Sequence, residues 1–295
     1  MARITPHLWF AEAARQTAEF YTSLFENSSV EHSSIMKDTP SGDAELVSFT
    51  LAGQHFEAIS AGPVFQLNES ISLMVSCSTA AEVDRLWAAL LPGGTVMMAL
   101  DAYPFSPRYG WLADRFGVHW QIMLVEGEQP QQRIVPCLLF SGDRAGKAEE
   151  AARFYQQIFP QSNLDLVSHY APGEAMNPKA KANYVGFTIK ETNLVAMDNA
   201  MDTGGEFNEA FSLIVACETQ QEIDRYWSAL SAVPEAEACG WLKDRYGVSW
   251  QIVPTALEKM MLQGTPEQQQ RVTAAFMEMK KFDIQRLQAA FDGNS

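Results

Sequence analysis

A chain of 295 residues is long enough for two ordinary domains, each burying its own core. Its composition, 47% hydrophobic and 19% charged, is that of a globular protein without low-complexity tracts. The net charge of −15 speaks against a nucleic-acid partner, which needs clustered Lys and Arg, and disfavours anionic lipid surfaces.

The chain opens with alternation. Ile4, Pro6, Leu8 and Phe10 share one face of a predicted strand, leaving Thr5, His7 and Trp9 on the other. Ala14, Ala18, Tyr21 and Phe25 follow at i, i+4, i+7 and i+11, the apolar stripe of a helix. Strands are expected near 30–37, over 45–52 and over 55–60. The cycle then restarts with a strand at 71–78 and a helix at 82–90, with Val83, Trp87 and Leu90 inward and Asp84 and Arg85 outward. Strands at 111–114 and 118–124 close the unit, joined by a turn in which Gly117 is expected at positive φ.

The unit then repeats. Gly110-Trp-Leu-Ala-Asp-Arg-Phe-Gly-Val-His-Trp-Gln-Ile122 returns as Gly240-Trp-Leu-Lys-Asp-Arg-Tyr-Gly-Val-Ser-Trp-Gln-Ile252, identical at ten of thirteen positions. Asn68–Cys77 returns as Asn208–Cys217, and Ala148, Ala152, Tyr155 and Phe159 restate the first helical stripe. The expected organisation is a first domain over 1–127, a second over 131–254 and a helical tail over 255–295. The fold class is α+β, with helices on one face of small sheets and a concave cleft on the other. Two differences stand out. Between Trp87 and Trp111 the first copy carries ten residues more than the second, with Tyr103, Phe105 and Tyr109, readable as a lid or as an extra strand. In the tail, Val272, Phe276, Met279, Leu287 and Phe291 are expected to pack on a domain or in a dimer interface, so a homodimer stays open.

The β-α-β-β-β pairing and the Gly-Trp-Leu-x-Asp-Arg strings resemble the vicinal oxygen chelate superfamily of glyoxalase I, extradiol dioxygenases and bleomycin-resistance proteins. Within it the chain is similar to the PhnB-like branch, often labelled demethylubiquinone 3-methyltransferase-like. The resemblance implies tandem glyoxalase-like domains, each of paired βαβββ modules. It also implies where metal ligands would fall. The first-strand position is His7 or Cys137, and the fifth-strand position is Ser72 or Ser212. The last-strand position is Gln121 or Gln251, and the fourth-strand position lies at Glu57 or Ala58, and at Val195 or Ala196. Gln is a neutral, poor ligand and Ser rarely serves, so neither a metal nor another cofactor is expected.

His7 is the candidate general base, weighed against a hydrogen-bonded strand histidine. Cys137 is a candidate nucleophile, weighed against a buried thiol. Trp9, Ser72, Gln121, Cys137, Ser212 and Gln251 are the expected cleft residues for a small-molecule ligand. Gln121 and Gln251 sit between inward apolar neighbours and so face outward. Trp111 and Trp241 fit a pocket wall or the core.

Cys77 and Cys217 have core parity. None of the four cysteines forms a C-x-x-C pair, the first ten residues lack a secretory apolar run, and no stretch matches a membrane span. A cytoplasmic protein is expected. Three functions remain open: an enzyme on a small molecule, a non-catalytic sequestering protein, and, last, a methyltransferase. No strand–Gly-x-Gly–helix element supports the last of these.

Overall fold

The computed structural model describes residues 4–39, 42–201 and 203–294. The first copy contains β1 (Ile4–Phe10), α1 (Ala14–Leu24), β2 (Ser29–Thr39), β3 (Gly42–Leu51) and β4 (Gln54–Ser60). It continues with β5 (Ile71–Cys77), α2 (Ala80–Leu90), β6 (Thr95–Tyr103), β7 (Ser106–Ala113) and β8 (His119–Leu124). The second copy contains β9 (Ile134–Phe140), α3 (Ala148–Ile158), β10 (Asn163–His169), β11 (Ala182–Ile189) and β12 (Thr192–Asp198). Then come β13 (Phe211–Cys217), α4 (Gln220–Leu230), β14 (Trp241–Lys243) and β15 (Ser249–Pro254). The tail forms α5 (Thr255–Gln263), α6 (Pro266–Met277) and α7 (Ile284–Asp292).

The strands pair across the copies. One sheet has the order β14-β15-β13-β1-β4-β3-β2, the other β10-β11-β12-β9-β5-β8-β7-β6. Each therefore takes its first four-stranded module from one copy and its second module from the other. The seams are antiparallel: β1 pairs β13 with His7 opposite Ser212, and β9 pairs β5 with Cys137 opposite Ser72. The sequence left module exchange open, and the structure exchanges them.

Each copy is still held together on the helical side. Ala14, Ala18, Tyr21 and Phe25 are all buried, as their spacing predicts. Tyr21 on α1 donates to Asp114 Oδ2 at 2.5 Å, and Trp120 Nε1 donates to the same oxygen at 2.9 Å. The other oxygen accepts the backbone N–H groups of Phe116 and Val118. Asp244 repeats the arrangement with Tyr155, Trp250, Tyr246 and Val248. A buried carboxylate is tolerable only with such partners, and here four donors surround each one. Arg115 lies 4.3 Å from the Phe20 ring centroid, and Arg245 lies 4.2 Å from that of Phe154. The Asp-Arg turn is thus scaffold in both copies, and Gly117 takes φ 84° within it.

The two free ends differ. The extra residues of the first copy form β6, an edge strand hydrogen-bonded to β7, not a lid; its exposed, poorly alternating sequence concealed it. In the second copy the tail covers the corresponding edge. Cys239 N donates to Met279 O and Gly240 N to Lys280 O, both at 2.8 Å. Gly240 has φ 84°, and a Cβ there would lie 2.4 Å from the Phe282 ring, so only glycine fits. Val272, Phe276, Met279 and Leu287 are buried within the chain itself. A Thr265–Gln268 capping box starts α6, and Asp283 caps α7.

Candidate active site on two composite clefts

Strand parity decides what each cleft can hold. On β1 the apolar residues face the helices, so His7 and Trp9 face out. On β4 the register sets Glu57 beside His7, while Phe56 and Ala58 are buried on the helix side. The fourth-strand position is therefore Glu57, not Ala58. By the same register it is Val195, beside Cys137, not Ala196.

The first cleft lies on the seven-stranded sheet. Gln251 Nε2 donates to Ser212 Oγ at 3.0 Å, and Ser212 Oγ is 3.3 Å from His7 Nδ1. His7 is 4% exposed, and burial pushes its pKa down to about 4, opposed by the nearby Glu57 carboxylate. The imidazole is therefore uncharged at neutral pH. Trp241 meets it edge-on at 5.4 Å, Trp9 stands 6.4 Å from Trp241, and Phe65 packs 5.1 Å from Trp9. Trp9 Nε1 is anchored on Gly62 O at 2.8 Å. Beyond Glu57 lies His55, 3.6 Å from it and 3.2 Å from Glu31; the hydrogen bond to Glu57 raises the His55 pKa despite some desolvation.

The second cleft lies on the eight-stranded sheet. Tyr109 OH donates to Gln121 Oε1 and Gln121 Nε2 donates to Ser72 Oγ, both at 2.8 Å. Cys137 lies beside this pair, fully buried, and burial pushes its thiol up to about 12. Burial thus disfavours the thiolate that a nucleophilic role for Cys137 would need. Cys77 and Cys217 are core residues, as their parity predicts. Two surface hollows of about 440 Å³ lie apart from both polar rows, one lined by residues from His169 to Lys181 and the other by residues around the start of α2.

The expected residues are thus gathered into two sets: His7, Trp9, Ser212 and Gln251 in one, Cys137, Ser72 and Gln121 in the other. Neither set belongs to one copy, because each sheet combines modules of both. Tyr109, already noted in the insertion, supplies a hydrogen bond. His119 was not singled out, although the repeat signals it: within thirteen matched positions it is one of three that differ, opposite Ser249 in the other copy.

The superfamily metal does not fit these donors. The first cleft offers one neutral imidazole and one carboxylate, beside a Ser and a Gln that bind each other; the second offers Cys137, Val195, Ser72 and Gln121. Among the described residues no three His, Cys, Asp or Glu side chains converge on a common point. No helix among them is long and apolar enough to cross a membrane.

Comparisons with known proteins agree with this architecture. The family model described as 3-demethylubiquinone-9 3-methyltransferase matches residues 2–123 and again residues 132–253. The chain is similar to a proposed 3-demethylubiquinone-9 3-methyltransferase, the PhnB protein from Bacillus cereus, at 35% identity, over 41% of this chain and 98% of that one, with a TM-score of 0.39. Glyoxalase I from Zea mays matches over 88% of this chain and 95% of its own, at 10% identity and a TM-score of 0.58. A proposed dioxygenase from Bacillus subtilis matches over 98% and 95%, at 11% identity and a TM-score of 0.50. Comparison with curated proteins returns no significant match. Carrying the family's sequence twice on a glyoxalase-like fold, the chain belongs to the PhnB-like, 3-demethylubiquinone-9 3-methyltransferase family.

Proposed function

We propose that the protein binds a small organic molecule on the outer face of the seven-stranded sheet, with His7 as the group that exchanges a hydrogen bond or proton with it. The observation that carries this reading is the uncharged imidazole of His7, held by Ser212 beside Glu57 and framed by Trp9 and Trp241. A neutral imidazole is competent as a base, and aromatic walls suit an apolar ligand body. Because the residues do not fit the superfamily metal, no step is routed through one. The test is mass spectrometry of small molecules co-purifying with the protein, followed by titration of the identified compound into the wild type and His7→Ala. The variant is expected to lose binding or turnover; unchanged binding and turnover would remove His7 from the site.

Sequestration without chemistry is the second reading. It is favoured by Ser212 and Gln251 hydrogen-bonding each other, which leaves few reactive groups. It predicts recovery of the compound unaltered. The methyltransferase activity in the family's description stands last, because none of the strand-to-helix turns, at 11–13, 78–79, 141–147 and 218–219, carries a Gly-x-Gly. Saturable heat on titration with S-adenosylmethionine would restore it.

A further inference from the structure

The cleft of the eight-stranded sheet contains two polar atoms that its own structure leaves unpaired. Trp111 Nε1 and His119 Nδ1 are both buried without a hydrogen-bond partner. The rings sit 6.1 Å apart. Both stand on the outer face, since Trp111 is in register with Gln121 and His119 with Ser72. His119 is 6% exposed, and burial lowers its pKa, opposed by the Glu69 carboxylate. A buried polar atom left unpaired costs roughly 1–3 kcal/mol, so two on one cleft face mark a place completed by something outside the chain.

The repeat sharpens the point. Opposed positions on adjacent strands are Ala113 and His119 in one sheet, Lys243 and Ser249 in the other. The large side chain has moved from one strand to its neighbour. In the first cleft Lys243 is paired with Glu209 at 3.0 Å and Ser249 Oγ is unpaired; in the second, His119 Nδ1 is unpaired at the same position and Trp111 Nε1 adds an unpaired donor beside it. The indole N–H only donates, so the missing partner is an acceptor. The negative Glu69 opposes an anionic one. Around the row, Met74, Met123 and Val195 share the face by register, and Tyr109 closes its end on Gln121.

We propose that this cleft is a second binding site, for an uncharged molecule with a flat apolar body and an oxygen acceptor, taken up by the indole N–H of Trp111 and the imidazole of His119. It is chemically distinct from the His7 cleft and lies on a different sheet, so it stands whether or not His7 binds a ligand.

The test titrates the full chain with 2-acetonaphthone, an uncharged aromatic ketone, and with 2-naphthoate, its anionic counterpart, followed by calorimetry or ligand-observed NMR. The ketone is expected to bind saturably and the carboxylate about tenfold more weakly or not at all. Trp111→Phe keeps a ring but loses the donor, and His119→Leu loses the imidazole; each is expected to weaken ketone binding about tenfold. Leu262→Ala, at an exposed position of the tail helix α5, should bind the ketone as the wild type does. Absence of saturable binding at millimolar ketone, equal binding in Trp111→Phe, or a preference for naphthoate would overturn the proposal. So would higher melting temperatures in both variants with unchanged binding, the signature of unpaired groups that serve nothing.

Discussion

The two clefts share a scaffold but not a surface. Behind each stands the same buried carboxylate, Asp114 or Asp244, with a Tyr, a Trp and two backbone donors around it. In front, His7 faces Ser212 and Gln251 in one cleft, while Cys137 faces Ser72 and Gln121 in the other. One row contains an uncharged base beside a carboxylate; the other contains a thiol held protonated and a tyrosine. The lesson is that packing on the helix side constrained both copies alike, while the outward-facing positions were free to diverge.

The strongest way to break this comparison is at its shared part. Asp114→Ala and Asp244→Ala each strand four donors, and each is expected to destabilise the fold by about 3–5 kcal/mol in denaturant unfolding. A difference above about 2 kcal/mol between them would show that the two scaffolds are not equivalent.

Acid titration sharpens the difference. His7 is held at about 4 by burial, below its ordinary 6.5, so the unfolded chain binds the proton first as pH falls. Its contribution is complete above pH 6.5 and is lost between 6.5 and 4, by up to about 3 kcal/mol. His119 shifts in the same direction. In His7→Gln the fall of stability with acid is expected to flatten over that window; an unchanged slope would show that His7 titrates normally. Cys137→Ser, in the other cleft, should leave the slope as it is.

A smaller effect separates the serines. Ser212→Ala leaves His7 Nδ1 and Gln251 Nε2 without their shared partner, and Ser72→Ala leaves Gln121 Nε2. Each is expected to cost about 1–2 kcal/mol, but only Ser212→Ala should move the His7 titration seen by imidazole NMR. The smallest effect lies at the hairpin tip. Phe105 is exposed and packs edge-on against Tyr109 at 4.9 Å, so Phe105→Ala should cost about 0.5–1 kcal/mol. A larger loss would show that β6 supports the cleft more than an edge strand should.

Much of this was legible in the chain itself. Alternation over residues 4–10 set His7 and Trp9 on the outer face, because a strand's side chains alternate and only one face was apolar. The same reasoning turned Gln121 and Gln251 outward. Helical spacing found Tyr21 and Tyr155, though not their bonds to Asp114 and Asp244, which join residues 93 and 89 positions apart. β6 escaped because an exposed edge strand has little reason to alternate. The tail's apolar positions were evident, but not that they would cap the β14 edge in place of a strand.

What the sequence determined by itself was the duplication, the fold of each module and the face on which each candidate residue stands. Those follow from local periodicity and from positions repeated in order. Only the tertiary structure decided which candidates meet. β1 had two similar strands to pair with, Ile71–Cys77 and Phe211–Cys217, identical at four of seven positions, and periodicity specifies a strand's face without specifying its neighbour. By choosing β13, the fold gave His7 the Ser212 and Gln251 of the other copy, and made each cleft the joint product of both.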